Sequence, residues 1–425
     1  MKPFVAANNF LRRRYRSLTV LTVILCVSLI TALSTGFWLP SRLAYVILVA
    51  IPLSYIWGRL SLWGVEARAE RRVDRLEQGQ VMGERLHISN RSFFSKLWLE
   101  VDDPSELPGH AARRVVHLAP RRSCTWKVTT TCLRRGLYTL GPVSVTGGDP
   151  FGLFRFTKRF GHAQNVLVYP RAIDLQGFAI PTAQLAGEGQ RRRPTHHVTP
   201  NATGIREYEF GDSYNRIHWP STARTNALMV KLFEMDPSSN VWIVLDMEKN
   251  VHAGEGERST EEYAITIAAS VARHFFRTNR SLGLISFGER LTVVEPERGI
   301  QQYVRILESL ALARPVGDVP LAELINKEGK RFGRQTTVLT ITPSTAEGWV
   351  TSLQATAERG SKLAAILLEA STFGAHNDSL LVFGALAAAD IYTLVVKCAD
   401  DLPTALCAGI DPRQGAGSLS GGDGR

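Results

Sequence analysis

Between residues 204 and 234 the chain reads GIREYEFGDSYNRIHWPSTARTNALMVKLFE. This stretch gathers acids (Glu207, Glu209, Asp212), bases and cations (Arg206, Arg216, His218, Arg224, Lys231) and aromatics (Tyr208, Phe210, Tyr214, Trp219). Acyl-transfer chemistry would need a nucleophile, a base and a group that orients the base. Ser213 or Ser221 could attack, His218 could take the proton, and Asp212 could orient it. The surrounding sequence has neither a G-x-S-x-G elbow nor an oxyanion loop. A short helix over 213–219, capped by Asp212 and ended near Pro220, would put His218 more than one turn from Ser213.

The same residues have structural roles open to them. Asp212 and Arg216 are spaced i, i+4, and Ile217 and Trp219 can anchor that turn to a sheet. Leu228 to Glu234 alternates as a strand, with Leu228, Val230 and Leu232 on one face and Met229, Lys231 and Phe233 on the other. Arg206, Glu207, Arg224 and Glu234 can satisfy one another where two modules join, because buried charge without a partner is costly. The expectation is a clamp between modules, with partner docking as the alternative use of its arginines and aromatics. Its residues are Arg206, Glu207, Tyr208, Gly211, Asp212, Arg216, His218, Trp219, Arg224, Lys231 and Glu234. No catalytic, cofactor or metal residue is assigned.

A chain of 425 residues exceeds one ordinary core, so several modules must position this stretch. Residues 1–17 form a basic N-terminus with Lys2, Arg12, Arg13, Arg14 and Arg16. Two uncharged or nearly uncharged apolar runs follow, 18–39 and 43–63, each long enough to cross a bilayer core of roughly 30 Å. Pro40-Ser41-Arg42 reads as the turn between them. A cleaved signal peptide fits poorly, since the first run is too long and the second follows almost at once. Arginines flank the pair on both sides (12–16, then Arg68, Arg71 and Arg72), and the turn holds only Arg42. The positive-inside rule therefore puts both termini and the bulk of the chain in the cytoplasm, as a multi-pass protein of the cell inner membrane. The net charge of +11 is explained by this lipid bilayer contact, and without a basic stripe or zinc-finger spacing nucleic acid is not expected. Cys26, Cys124, Cys132, Cys398 and Cys407 form no CxxC pair, and reduced thiols are expected.

Residues 65–180 read as short strands (ERLHISN, LWLEVDD, ARRVVHLAP, CTWKVTTTCL, LYTLGPVSVTG, NVLVYP) separated by turn signals, the pattern of an immunoglobulin-like β-sandwich. The piece DPFGLF, 149–154, reads as a turn that returns Phe151, Leu153 and Phe154 to the core. Residues 181–203 read as a polar linker, and 204–239 hold the opening stretch. From 240 to 410 apolar strands alternate with amphipathic helices, which calls for a mostly parallel sheet covered on both faces. Ser259 is the expected cap of a helix over 259–279. LLVFGALAAAD is too short for a third span. The Gly/Ser-rich tail 411–425 is expected to be disordered.

The pattern G-I-R-E-Y…G-D…R-I-H-W…A-R…L…K…E closely resembles the signature of the bacterial family known as "domain of unknown function 58". Arg134-Arg135-Gly136, Tyr138, Leu140-Gly141-Pro142 and Asp149 to Leu153 match further family pieces in the β region. The resemblance implies a membrane hairpin of two helices, then a β-sandwich module, then an α/β von Willebrand factor A-like (Rossmann-type) module. It also implies partnership with a MoxR-type AAA+ ATPase and a membrane transglutaminase-like protein, in assembling or remodelling client proteins. No catalytic residue carries over.

A-type modules often bind Mg²⁺ through D-x-S-x-S after the first strand, since a hard cation takes oxygen ligands. Here the corresponding residues are Asp246, Glu248 and Asn250, so the aspartate stays and both serines are gone. Ser344 and Thr345 follow TTVLTITPS with no acid before Glu347. The expectation is that Asp246 caps backbone donors at a strand end, with Mg²⁺ binding as its rival. The reading as a whole is a non-enzymatic, membrane-anchored cytoplasmic scaffold. Its alternatives are a hydrolase using Asp212 and His218 or a metal-dependent ligand binder at Asp246.

Overall fold

The computed structural model describes residues 2–71, 75–180, 202–208, 217–233, 240–334, 336–376 and 378–407, with the backbone alone at 2–17, 35, 202–206 and 231–233. The tail 411–425, and all but the last two residues of the stretch 181–203, lie outside these. The chain divides into two compact units, Met1–Tyr169 and Pro170–Arg425.

In the first unit, α1 (Lys2–Thr35) and α2 (Trp38–Ser61) pack as a hairpin. The break falls at Gly36-Phe37, earlier than the expected turn at 40–42. Gly36 takes φ +64°, a left-handed value that glycine tolerates best. Pro40 instead sits in the first turn of α2, where a missing N–H breaks no helical bond. Ser28 Oγ donates to Pro40 O at 2.6 Å and ties the two helices. Both helices turn large apolar side chains outward, among them Ile30, Leu33, Val46, Val49 and Ile56. By length and composition α2 is long and apolar enough to cross a membrane, and Leu18–Ser34 is a shorter apolar stretch of α1.

Strands follow: β1 (Val65–Arg71), β2 (Arg75–Glu77), β3 (Val81–Asn90), β4 (Lys96–Asp102), β5 (Arg114–Leu118), β6 (Ser123–Thr131), β7 (Gly136–Leu140), β8 (Val143–Gly148), β9 (Arg155–Phe160) and β10 (Gln164–Tyr169). They form sheets β1-β3-β6, β2-β10-β7 and β5-β4-β8-β9. Leu86 and Ile88 of β3 meet Leu99, Val101, Val143 and Val145 of the four-stranded sheet in one core. LYTLGPVSVTG, expected as one strand, is two in different sheets. Pro142 has no N–H for a ladder and Gly141 turns at φ +79°.

The last turn of α2 is seated tightly on β8 and β9. Gly58 and Gly147 make this possible: a Cβ at Gly58 would come 2.8 Å from Phe156, and one at Gly147 would collide with Ser61 Oγ. Lys96, buried in β4, donates its ammonium to the carbonyl of Leu60 at the end of the helix, where positive charge suits the helix dipole.

The second unit begins with residues 170–180, which pack on α4 below. It continues with β11 (Ala202–Glu207), α3 (Trp219–Thr225), β12 (Met229–Phe233), β13 (Asn240–Leu245), α4 (Thr260–Arg277), β14 (Leu282–Phe287), β15 (Leu291–Glu297), α5 (Ile300–Leu312), α6 (Leu321–Glu328), β16 (Thr336–Thr342), α7 (Gly348–Ala357), β17 (Lys362–Leu368), α8 (Leu380–Ala388), β18 (Tyr392–Val396) and α9 (Leu402–Cys407). One six-stranded sheet runs β15-β14-β13-β16-β17-β18, parallel except for the antiparallel edge β15. Trp242, Val244, Val338 and Ala365 carry the core beneath α6, α7 and α8. α4 and α5 pack together, and α4 lies on β13, β14, β16 and β17 with Ile265, Ala268 and Ala272 fully buried. Ser259 caps α4, accepting from Glu262 N at 3.2 Å.

The seat of α2 yields a prediction. Gly147→Ala costs ~1–3 kcal/mol of unfolding free energy through overpacking, and adding Ser61→Gly recovers most of it. Denaturant unfolding of the full chain in detergent measures both. Equal stability of Gly147→Ala and the parent would refute the close approach.

Candidate functional site

The opening stretch folds differently from its expectation. β12 runs antiparallel to β11, with Glu207 opposite Met229 and Arg206 opposite Val230. Ile217 bridges Val230 from elsewhere in the chain, and both side chains are buried. Tyr208 N donates to Leu228 O at 2.8 Å, and His218 N to Met229 O at 2.7 Å. Of the helix expected over 213–219, residues 213–216 lie outside the described residues; Ile217 is a bridge residue, His218 is a cap, and a helix, α3, starts at Trp219. The reason is its cap: His218 Nδ1 accepts from Ser221 N at 3.3 Å, and Pro220 occupies the first turn. Asn226 ends α3 in the left-handed region at φ +56°.

Two expectations change as a result. Trp219 does not anchor the turn: it is 65% exposed, because the first turn of α3 points it outward. His218 and Ser221, three residues apart across the cap, come together, with Nδ1 and Oγ at 2.8 Å. Glu207 and Arg224 are exposed and Tyr208 is half-buried. Gly211, Asp212, Arg216 and Glu234 lie outside the described residues, as does Ser213. Arg206 and Lys231 are described by backbone only, in β11 and β12.

The second place for chemistry is the C-terminal edge of the six-stranded sheet. Strand order reverses between β13 and β16, the switch point at which open α/β sheets bind ligands. Asp246 and Thr342 stand there side by side. Thr342 Oγ1 donates to Asp246 Oδ2 at 2.6 Å and accepts from Ser344 N at 2.9 Å. Glu248 N donates to Asp246 Oδ1 at 3.0 Å. His252 holds the same loop, with Nε2 3.0 Å from Asp246 O and Nδ1 3.0 Å from Thr260 Oγ1. Asp246 therefore clasps two strand ends and their loops. Burial raises its pKa from 3.8 to about 6, against the lowering effect of the Thr342 and Glu248 hydrogen bonds. Burial also raises Glu248. Each Asp246 oxygen accepts one hydrogen bond, and Asn250 is exposed.

A third cluster was not anticipated. Arg71, Glu84, Asp103 and His110 are packed inside the first unit with their side chains almost wholly buried. Arg71 Nε donates to Glu84 Oε2 at 3.1 Å, and its terminal nitrogen bonds Asp103 Oδ2. His110 Nε2 lies 3.4 Å from Glu84 Oε1, and its Nδ1 3.0 Å from Thr130 Oγ1. Burial, then Asp103, raises the Glu84 pKa, and burial lowers that of His110. Ligand atoms of Glu84, Asp103 and His110 lie within 4.8 Å of one another. The guanidinium already supplies the cation between the two carboxylates, which makes this an internal ion-pair cluster. The sequence held one signal of it. Met82, Leu86 and Ile88 mark the inward face of β3, and Glu84 falls on that same face.

A helical hairpin, a strand-rich unit and a doubly wound α/β unit carrying the His218–Trp219 stretch define the architecture. Residues 204–371 match the family described as "Protein of unknown function DUF58". It is 25% identical over 344 residues to the uncharacterized protein YeaD of Bacillus subtilis, covering 78% of this chain and 83% of YeaD. It is 30% identical over 109 residues to an uncharacterized protein of Mycobacterium tuberculosis, covering 25% of this chain and 34% of that one. A solved CARDB domain from Pyrococcus furiosus, in complex with di-metal ions, is similar at a TM-score of 0.19 and 13% identity, over 24% of this chain and 91% of that one.

The raised Asp246 pKa fixes a pH dependence. Below pH ~4 the group is neutral whether folded or unfolded, and its contribution to stability is fully present. That contribution is lost as pH rises through about 6, an effect on the order of 3 kcal/mol. The stability of the parent relative to Asp246→Asn should therefore fall between pH 4 and pH 7. Denaturant unfolding across that range checks it; a flat or rising difference contradicts the burial of this carboxylate.

Proposed function

We propose that this chain is a membrane-anchored, non-enzymatic cytoplasmic scaffold, working with a MoxR-type AAA+ ATPase in assembling or remodelling client proteins. The observation that carries the reading is the outward Trp219 at the start of α3, with Arg224 also exposed on that helix, within the most family-diagnostic stretch of the chain. Exposed tryptophan and arginine are the side chains that most often anchor protein interfaces. The clamp between modules becomes the lesser role of this stretch, and docking the greater. The six-stranded sheet with one antiparallel edge supports a von Willebrand factor A-like module, and the facing sheets of the first unit support an immunoglobulin-like one. The outward apolar faces of α1 and α2, with arginine on both flanks, support two spans of the inner membrane and cytoplasmic termini. A transglutaminase-like membrane protein is a further partner that the family resemblance suggests.

Trp219→Ala should weaken capture of the purified cognate ATPase by the detergent-solubilised full chain ~10-fold or more, with thermal stability unchanged. Biolayer interferometry in ATP and in ADP measures it. No binding by the parent protein would end the ATPase reading; equal binding by parent and variant would move the docking surface elsewhere.

A hydrolase is the second reading, on the strength of the 2.8 Å contact between His218 Nδ1 and Ser221 Oγ. Its test is covalent labelling by a fluorophosphonate probe. Labelling of the parent and not of Ser221→Ala or His218→Ala would establish it. No labelling is the outcome expected of a helix cap. Magnesium at Asp246 is the third, and titration calorimetry with no heat for Mg²⁺ is the outcome expected of a clasp.

A further inference from the structure

The first unit carries an apolar surface that its own core does not use. It begins in β4, where the register slips between Lys96 and Leu99. This bulge breaks the alternation: Lys96 and Leu99 point inward, while Leu97 and Trp98 both point out, Trp98 at 62% exposure. Just before it, Phe93 and Phe94 are also exposed, with Phe93 5.7 Å from Trp63 and 4.6 Å from Phe94 between ring centroids. The DPFG turn adds a second prong. Asp149 accepts from Phe151 N at 3.0 Å and Phe154 N at 2.6 Å, and so lifts Phe151 to the tip, 70% exposed. The expected return of Phe151 to the core does not occur; Leu153 and Phe154 are half-buried, Phe154 edge-on to Tyr55 of α2 at 5.5 Å.

These prongs frame a groove of ≈ 620 Å³ whose walls include Trp57 and Leu60 of α2 together with Phe94, Leu97, Trp98 and Phe151. Trp57 lies four residues before the end of α2, ~6 Å along the axis at 1.5 Å per residue. Side chains that share a groove with Trp57 and Leu60 stand at the same height as the last turn of the helix. That turn is fixed to the sheet by the Gly58 and Gly147 contacts and the Lys96–Leu60 bond, so the height is not adjustable.

We propose that Phe94, Leu97, Trp98 and Phe151 form a bilayer-docking surface that inserts into the acyl–headgroup boundary around α2, so that the strand-rich unit rests in the membrane surface. The inference rests on α2 crossing the bilayer. The occupant is lipid because the surface is continuous with the outward apolar face of α2. Aromatic side chains at that level are the ones a membrane interface favours. Apolar side chains displayed in this way on a water-facing loop would be an unprotected patch.

The test uses the full chain in nanodiscs whose lipids carry bromine either near the headgroup end or near the methyl end of the acyl chain. Comparing parent, Trp98→Phe and Trp57→Phe proteins isolates the emission of each tryptophan. Trp98 should be quenched about twofold or more by the shallow bromines and little by the deep ones, as fits an insertion of roughly 5–10 Å. Phe151→Trp, at an exposed tip, should add an emission quenched in the same way. Quenching of Trp57 without Trp98 or the introduced tryptophan overturns the docking surface and leaves the span intact; the groove would then serve a protein partner. If Trp57 escapes quenching as well, the spanning reading itself fails.

Discussion

The junction between α2 and the sheets of the first unit is close because two glycines remove the side chains that would hold helix and sheet apart. Gly58 lets Phe156 lie against the helix, and Gly147 lets β8 approach Ser61. Lys96 then places its ammonium under the terminal carbonyls of α2. Burial lowers the pKa of that ammonium, so the dipole and the carbonyl bond work against a desolvation cost. Once this joint is made, the strand-rich unit has no freedom to swing about the helix, and its sheets and prongs keep fixed positions relative to the apolar hairpin.

The second unit is organised by a different local device, the carboxylate of Asp246 at the strand-order reversal. Thr342, Ser344, Glu248 and His252 are brought together by one relay of hydrogen bonds. A buried acid of this kind is costly to ionise, and here its two oxygens hold the loops of two neighbouring strands in register. The edge where such sheets present their ligand crevices is thus stiffened from within.

Much of this was legible in the chain. The strands of the α/β unit are mostly apolar on both faces, and α4 carries a serine cap, so Ser259 and most of the β13 to β18 alternation could be read directly. In the strand-rich unit alternation located the central strands. It failed where backbone chemistry interrupts the period: at Gly141-Pro142, which splits one apparent strand between two sheets, and at the β4 bulge, which sends Leu97 and Trp98 the same way. The site fared less well. A histidine is an uncommon helix cap, so the start of α3 at Trp219 gave no clear signal, and the Asp212 cap lies outside the described residues. The Arg71–Glu84–Asp103–His110 cluster joins residues from four separate segments, and only the inward position of Glu84 betrayed it.

The length of α1 has a positional meaning. Its apolar part, Leu18–Ser34, accounts for only half of a helix that starts at Lys2. With the turn at Gly36-Phe37 so short, α1 runs back beside α2, and with 34 residues against 24 it is ~15 Å longer at 1.5 Å per residue. The basic residues Arg12, Arg13, Arg14 and Arg16 thus belong to the same continuous helix as the apolar stretch, so where the apolar stretch sits also sets where that charge sits.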